Sequence, residues 1–112
     1  MGVNAFTVTG NTVTLTANVT ANTPVQCLST TLGGNQYRII NTSTTVIAYL
    51  SFASSASDAT ANCLIPNATN SSRTLPILPS TDEIITFVPN AYFTALTASS
   101  TATLFITPGD GL

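Results

Sequence analysis

Residues 12–20 alternate strictly between apolar and polar side chains, and this pattern constrains the fold more tightly than any other feature of the chain. The apolar positions are Val13, Leu15, Ala17 and Val19, and the polar positions between them are Thr12, Thr14, Thr16, Asn18 and Thr20. Only an extended strand places alternate side chains on opposite faces, and β-branched threonine is favoured on a pleated sheet. The segment therefore predicts a strand with one side in the core and one side lined by hydroxyl groups.

The rest of the chain repeats short strand-like segments separated by turn residues. We predict strands over 12–20, 25–30, 37–41, 45–52, 83–88, 91–97 and 101–107, with 5–9 able to pair as an edge strand. Strands at roughly ten-residue spacing are typical of a β-sandwich or a small barrel. The predicted fold class is all-β: one antiparallel domain over residues 1–112, a β-sandwich or small barrel of eight to nine short strands, with at most one short helix near 55–62.

Two segments between the strands have signals of their own. Residues 53–62 are the only candidate for a helix, with Ser55 or Ser57 as its N-cap and Asp58 in its first turn. Residues 75–79 alternate proline with aliphatic side chains. Because proline cannot donate to a sheet ladder, we expect these residues to form an edge strand or a wall segment packed by side chains alone.

The connections and the termini complete the predicted organisation. The short polar link between 37–41 and 45–52 indicates a hairpin. Residues 1–10 are predicted to form an N-terminal arm. Residues 107–112, which include Pro-Gly-Asp-Gly, are predicted to form an exposed C-terminal tail.

Charge is scarce along the whole chain. Charged residues make up 5% of it, against about 25% in a typical soluble domain. They are Arg38, Arg73, Asp58, Asp82, Glu83 and Asp110. A neutral surface of Thr, Ser and Asn can be buried against a partner without stranding charges, which favours assembly. Two basic residues argue against nucleic-acid binding, and the lack of a run of about 18 apolar residues argues against a membrane span.

The residue types that catalysis and metal binding need are also scarce. The chain contains no His and no Lys, which removes the commonest general base and metal ligand. Asp82 and Glu83 are adjacent, and in a strand they point to opposite faces. Cys27 and Cys63 lie in apolar contexts and are interpreted as buried core thiols, with a disulfide left open. We therefore predict a protein that is not an enzyme and that has no cofactor and no metal.

A candidate interface is drawn from the arm, the threonine-lined strand face, the two arginines, one aromatic and the tail. Its residues are Val3, Phe6, Val8, Thr12, Thr14, Thr16, Arg38, Arg73, Tyr92 and Asp110. An arginine in this setting either lies along the surface or pairs with Asp82 or Glu83, and the functional alternative is an ion pair between subunits. Tyr92 followed by Phe93 is interpreted as rim and core rather than as a binding platform.

Three segments resemble a known class of protein: residues 32–41 (LGGNQYRIIN), 89–94 (PNAYFT) and 106–111 (ITPGDG). They are similar to small virion structural proteins of tailed bacteriophages, in particular capsid decoration or cement proteins. Such proteins bind the outside of the head and reinforce contacts between capsomers. The resemblance implies a β-rich fold, many copies and no active site.

The resemblance also sets the expected partners and location. The partners would be the major capsid protein and copies of the chain itself, with no nucleic acid, membrane or small-molecule substrate. The protein would be made in the bacterial host cytoplasm and would reside in the virion, on the head exterior. Two alternatives stay open: a tail or head–tail junction component, and a carbohydrate-binding or adhesin-like β-sandwich. The latter predicts an exposed aromatic platform, and the chain has no Trp.

Overall fold

The computed structural model describes residues 6–27, 35–69 and 72–110, and these residues form nine strands and one short helix. The strands are β1 (Thr7–Val8), β2 (Val13–Ala17), β3 (Val25–Gln26), β4 (Gln36–Asn41), β5 (Ala48–Ala53), β6 (Leu75–Ile77), β7 (Asp82–Thr86), β8 (Tyr92–Leu96) and β9 (Ala102–Asp110), and the helix is α1 (Ala56–Asn62). All strand pairs in the two sheets are antiparallel. The predicted all-β sandwich is confirmed.

The two sheets enclose one core. In the first sheet β1 and β2 follow one another along one edge of β9, and β4 and then β7 lie on its other side. The second sheet has the order β3–β8–β5–β6. Fully buried side chains come from both sheets: Leu15, Ile39, Leu104 and Ile106 from the first, and Leu50, Ile77 and Phe93 from the second. The rings of Tyr37 and Phe93 meet edge to face between the sheets, with centroids 4.8 Å apart.

The opening strand follows the predicted alternation except at its end. Leu15 and Ala17 are buried, and the threonines between them are exposed. Val19 was predicted to line the core, which is wrong, because its side chain is 62% exposed. The cause is that β2 ends at Ala17 and the chain then turns to the second sheet, where the Asn18 carbonyl accepts a hydrogen bond of 2.9 Å from the Thr97 amide.

The predicted hairpin between 37–41 and 45–52 is wrong, because β4 and β5 belong to different sheets. The connection crosses the sandwich instead of turning back. Asn41 fixes the crossing: its Nδ2 donates to the carbonyls of Val46 (2.9 Å) and Ile77 (3.0 Å), and its Oδ1 accepts from the Ser43 amide (3.0 Å). The Asn41 side chain therefore joins the end of β4 to the following turn and to β6 of the second sheet.

The predicted C-terminal tail is also wrong over residues 107–110, and residues 111–112 lie outside the described residues. β9 continues to Asp110, and Pro108 and Gly109 are buried. A proline inside a central strand is tolerated only where its missing N–H has no partner. The Pro108 carbonyl accepts from the Thr9 amide at 3.0 Å. Pro108 therefore faces the point between β1 and β2 where the pairing with β9 is interrupted.

Part of the predicted N-terminal arm pairs with β9. The expected edge strand over 5–9 is confirmed at Thr7–Val8, which pair with Asp110 and Gly109 of β9. The Phe6 ring lies directly over Gly109, where a Cβ would overlap it. Residues 1–5 lie outside the described residues.

The helix and the proline segment follow their sequence signals. α1 begins after Ser55, whose hydroxyl accepts from the Asp58 amide at 3.2 Å, so Ser55 rather than Ser57 is the N-cap. β6, which contains Pro76, is an edge strand. The predicted strand over 25–30 is observed as β3 at Val25–Gln26, and residues 28–34 lie outside the described residues.

Candidate interaction surface

The strand register places a set of side chains from four strands on the solvent side of the first sheet. Residues directly opposite on adjacent strands share a face, so one row runs Thr14–Phe105–Ile40–Asp82 and the next brings Thr107, Arg38 and Ile84 together. We call this the outer face and define it by Thr12, Thr14, Thr16, Arg38, Ile40, Asp82, Ile84, Thr86, Thr103, Phe105 and Thr107. The hydroxyls of Thr12 and Thr107 are hydrogen-bonded at 2.6 Å.

The outer face combines apolar side chains with hydroxyl groups. Phe105 is 38% exposed and Ile84 is 41% exposed, and Ile40 is half-buried between them. The threonines of β2 border these apolar groups on one side. Such a mixture of an apolar centre and a neutral polar rim resembles the composition of a protein interface.

The outer face has one ion pair. Arg38 Nε lies 3.0 Å from Asp82 Oδ2, with both side chains 48% exposed. This confirms that Arg38 pairs with Asp82, one of the interpretations of its sequence context. An exposed pair of this kind adds little to stability, but it leaves neither charge of the face without a partner. A protein docking here would meet a surface that is locally neutral.

Six of the ten candidate interface residues gather on this side of the first sheet. Thr12, Thr14, Thr16 and Arg38 belong to the outer face, and Val8 and Phe6 extend it across Gly109 at the β1 end. The other four do not join them. Tyr92 is half-buried on β8 of the second sheet, Arg73 lines a separate cleft, Asp110 lies at the end of β9, and Val3 is outside the described residues.

Sequence reasoning missed the two most exposed apolar residues of the outer face. Phe105 and Ile84 occupy positions where the alternation of β9 and β7 calls for a polar side chain. In β9 the core-facing residues are Ala102, Leu104 and Ile106, so a phenylalanine between Leu104 and Ile106 must point away from the core. That break in the alternation was the available signal.

A small polar cleft lies on another part of the surface. Its volume is about 260 Å³, and it is lined by Ser54, Asp58, Asn62 and Arg73 together with the rings of Phe52 and Phe87, whose centroids are 5.1 Å apart. Asp58 and Arg73 form no ion pair within the described residues. The cleft is smaller than the pockets of about 300–1,000 Å³ that hold drug-sized ligands. It has room for one small polar molecule.

The two cysteines are buried and unpaired, which agrees with their interpretation as core thiols. Burial raises the pKa of Cys27 to about 12 and that of Cys63 to about 11. The Cys27 thiol also donates to the Ile106 carbonyl at 3.5 Å. Since the thiolate is the reactive form, both thiols are held in their unreactive form at neutral pH.

Within residues 6–27, 35–69 and 72–110, no group of three His, Cys, Asp or Glu side chains lies close enough to hold a metal ion. None of the helical residues there forms a segment long and apolar enough to cross a bilayer.

Comparison with protein-family models, with curated protein sequences and with solved structures finds no match to this chain.

Proposed function

We propose that this chain is a non-enzymatic structural protein of a bacteriophage virion, most specifically a decoration protein that binds the outside of the head and stabilises contacts between capsomers. The observation that carries the proposal is the outer face: a locally neutral surface spanning four strands, with the half-exposed Phe105 and Ile84 bordered by threonines. The resemblance of residues 32–41, 89–94 and 106–111 to virion proteins of tailed phages supports the same proposal.

The physics of such a surface suits attachment to a large assembly. Burying Phe105 and Ile84 removes apolar area from water at about 25 cal/mol per Å², and aromatic side chains are frequent anchors of interfaces. The neighbouring threonine hydroxyls can exchange water for hydrogen bonds with a partner. Because Arg38 and Asp82 already neutralise each other, docking does not bury an unpaired charge, which is the costly case.

The scarcity of reactive groups supports a structural role. The chain has no His and no Lys, and burial keeps the thiols of Cys27 and Cys63 protonated at neutral pH. The partners in this proposal are the major capsid protein and further copies of the chain, on the head exterior.

The number of copies per particle tests the proposal. Quantitative mass spectrometry of virions from the phage that encodes this chain would compare its abundance with that of the major capsid protein. We expect a copy number comparable to the number of capsomers. A single ring of copies would favour the head–tail junction or the tail. Absence from the particle would contradict the proposal and favour the carbohydrate-binding alternative, which would use the polar cleft.

A further inference from the structure

The four outer strand edges of the sandwich differ in how they are protected. Exposed edges invite pairing with another chain, and proteins protect them with proline, short strands or covering groups. β3 has only two residues. β6 contains Pro76, and the Asn41 side chain bonds the Ile77 carbonyl. On β2, the Asn22 side chain donates to the Thr16 carbonyl. Asn18, the next residue whose backbone points away from β9, accepts from the Thr97 amide.

β7 has none of these protections within the described residues. It is five residues long, contains no proline, and pairs only with β4. The amide of Phe87 donates to the Asn35 carbonyl at 2.8 Å, and the Thr81 carbonyl accepts from the Asn41 amide at 3.0 Å. Backbone groups alternate in direction along an antiparallel strand. The odd-numbered residues of β7 therefore face β4.

It follows that the backbone N–H and C=O groups of Asp82, Ile84 and Thr86 point away from the sheet. None of them bonds a described residue. Ile84 is at the centre of this row, with Asp82 and Thr86 two residues to either side.

We propose that β7 pairs antiparallel with β7 of a second copy, across a two-fold axis through Ile84. In this register Ile84 faces Ile84 of the second copy, and Asp82 faces Thr86. Each opposed pair exchanges two backbone hydrogen bonds. Every N–H and C=O of these three residues, which bond no described residue, thereby gains a partner. If the register of the two β7 strands shifts by two residues in either direction, one of these three residues in each copy has no partner in the other β7.

The side chains favour this arrangement over a parallel one. Both acidic residues of β7, Asp82 and Glu83, lie at its N-terminal end. Antiparallel pairing places these ends apart and sets Asp82 beside an uncharged threonine. Parallel pairing would set like charges side by side, which is destabilising. Ile84, 41% exposed in one copy, would lie beside its equivalent in the second and contact it on the same face.

The pairing would also join the two outer faces. The first sheet of each copy would continue into the other through β7, and Phe105 and Ile40 of both copies would lie on one continuous surface. The inference rests on the proposed function for its setting, an assembly of many copies. Its geometry depends on β7 alone, so the dimer can exist or fail whether or not the outer face binds a capsid.

Analytical ultracentrifugation over a range of concentrations tests the dimer. We expect the wild-type chain to form a dimer that dissociates on dilution, and Ile84→Pro to remain monomeric. The Ile84 amide points away from β4, so proline there blocks the edge and spares the ladder within the molecule. The matched control is Thr14→Pro, at an outward-pointing amide on β2, the opposite edge of the same sheet; it should still dimerise.

Two further measurements keep the test decisive if a proline variant does not fold. Ile84→Lys leaves the backbone unchanged but brings two like charges together across the axis, and it should also be monomeric. Hydrogen exchange should show the amides of Ile84 and Thr86 protected only at concentrations where the dimer forms, and those of Glu83 and Ile85 protected throughout.

Either of two results would overturn the inference: a wild-type chain that stays monomeric with fast exchange at Ile84, or a dimer that persists in both Ile84 variants. A monomer that still occupies the capsid would remove the β7 pairing and leave the proposed function standing. A dimer that does not bind the particle would leave the β7 pairing standing and remove the proposed function.

Discussion

At the scale of single residues, burial determines the state of the few reactive groups. The Cys27 thiol is buried beside Ile106, and desolvation raises its pKa from 9.0 to about 12. Tyr37 is buried as well, and burial raises its pKa above 10.0; its hydroxyl donates to the Val88 carbonyl at 2.7 Å and accepts from the Ala91 amide. Both groups stabilise the fold in their neutral forms.

The free energy of unfolding should therefore fall at alkaline pH. The unfolded chain releases the Cys27 proton near pH 9, whereas the folded chain holds it until about pH 12. The unfolded state thus binds fewer protons between these values, and stability declines as pH rises through them. Urea unfolding at a series of pH values should show this decline, and it should be smaller for Cys27→Ala. An identical decline in the variant would contradict the assignment.

The cysteines also show what the sequence could reveal at this scale. Their apolar neighbours were enough to predict burial. The role of Asn41 was not predictable, because Asn-Thr-Ser is an ordinary turn sequence. The partners of its side chain, Val46 and Ile77, are brought to it only by the packing of the two sheets.

At the scale of elements, the fold depends on how strands change sheets. β4 and β5 are consecutive in sequence but lie in different sheets, and Asn41 binds the connection between them. A hairpin was predicted because a short polar link between two strands favours one locally. This local preference is overridden because β5 is buried on both faces, as a strand that lies between β8 and β6 in the second sheet.

Replacing Asn41 should destabilise this crossover. Asn41→Ala leaves the carbonyls of Val46 and Ile77 without their donor, and we expect a loss of about 2–4 kcal/mol in the free energy of unfolding, since each buried unsatisfied group costs about 1–3 kcal/mol. Thermal or urea unfolding measures it. The matched control, Asn67→Ala in an exposed turn, should cost less than about 1 kcal/mol. Equal losses in the two variants would contradict the role of Asn41.

The C-terminal strand shows the limit of local signals at this scale. Pro108, Gly109 and Asp110 are turn formers in sequence, and they predicted a tail. They form the end of β9 because Pro108 lies where β1 and β2 are interrupted, and because Gly109 leaves room for the Phe6 ring. Both conditions are set by residues about 100 positions earlier in the chain, a separation at which the sequence pattern carries no information.

At the scale of the whole molecule, the proposed function depends on one surface, the outer face. The period-two pattern of residues 12–20 predicted the sandwich and the threonine side of this surface. It did not predict the apolar centre, since Phe105 and Ile84 join the threonines only through the register of β9 with β2 and β4, and of β4 with β7. The neutral ion pair of Arg38 and Asp82 completes the surface.

The occupancy of capsids by a variant of the outer face tests most directly whether this surface binds the head. Phage heads that lack the protein would be incubated with the wild-type chain, with Phe105→Asp, and with Val19→Asp, a matched charge on an exposed valine outside the outer face. We predict that the wild type and Val19→Asp bind the heads equally well. The affinity of Phe105→Asp should be lower by at least about tenfold. Equal occupancy by all three proteins, or no binding by any of them, would contradict the role of the outer face in binding the head.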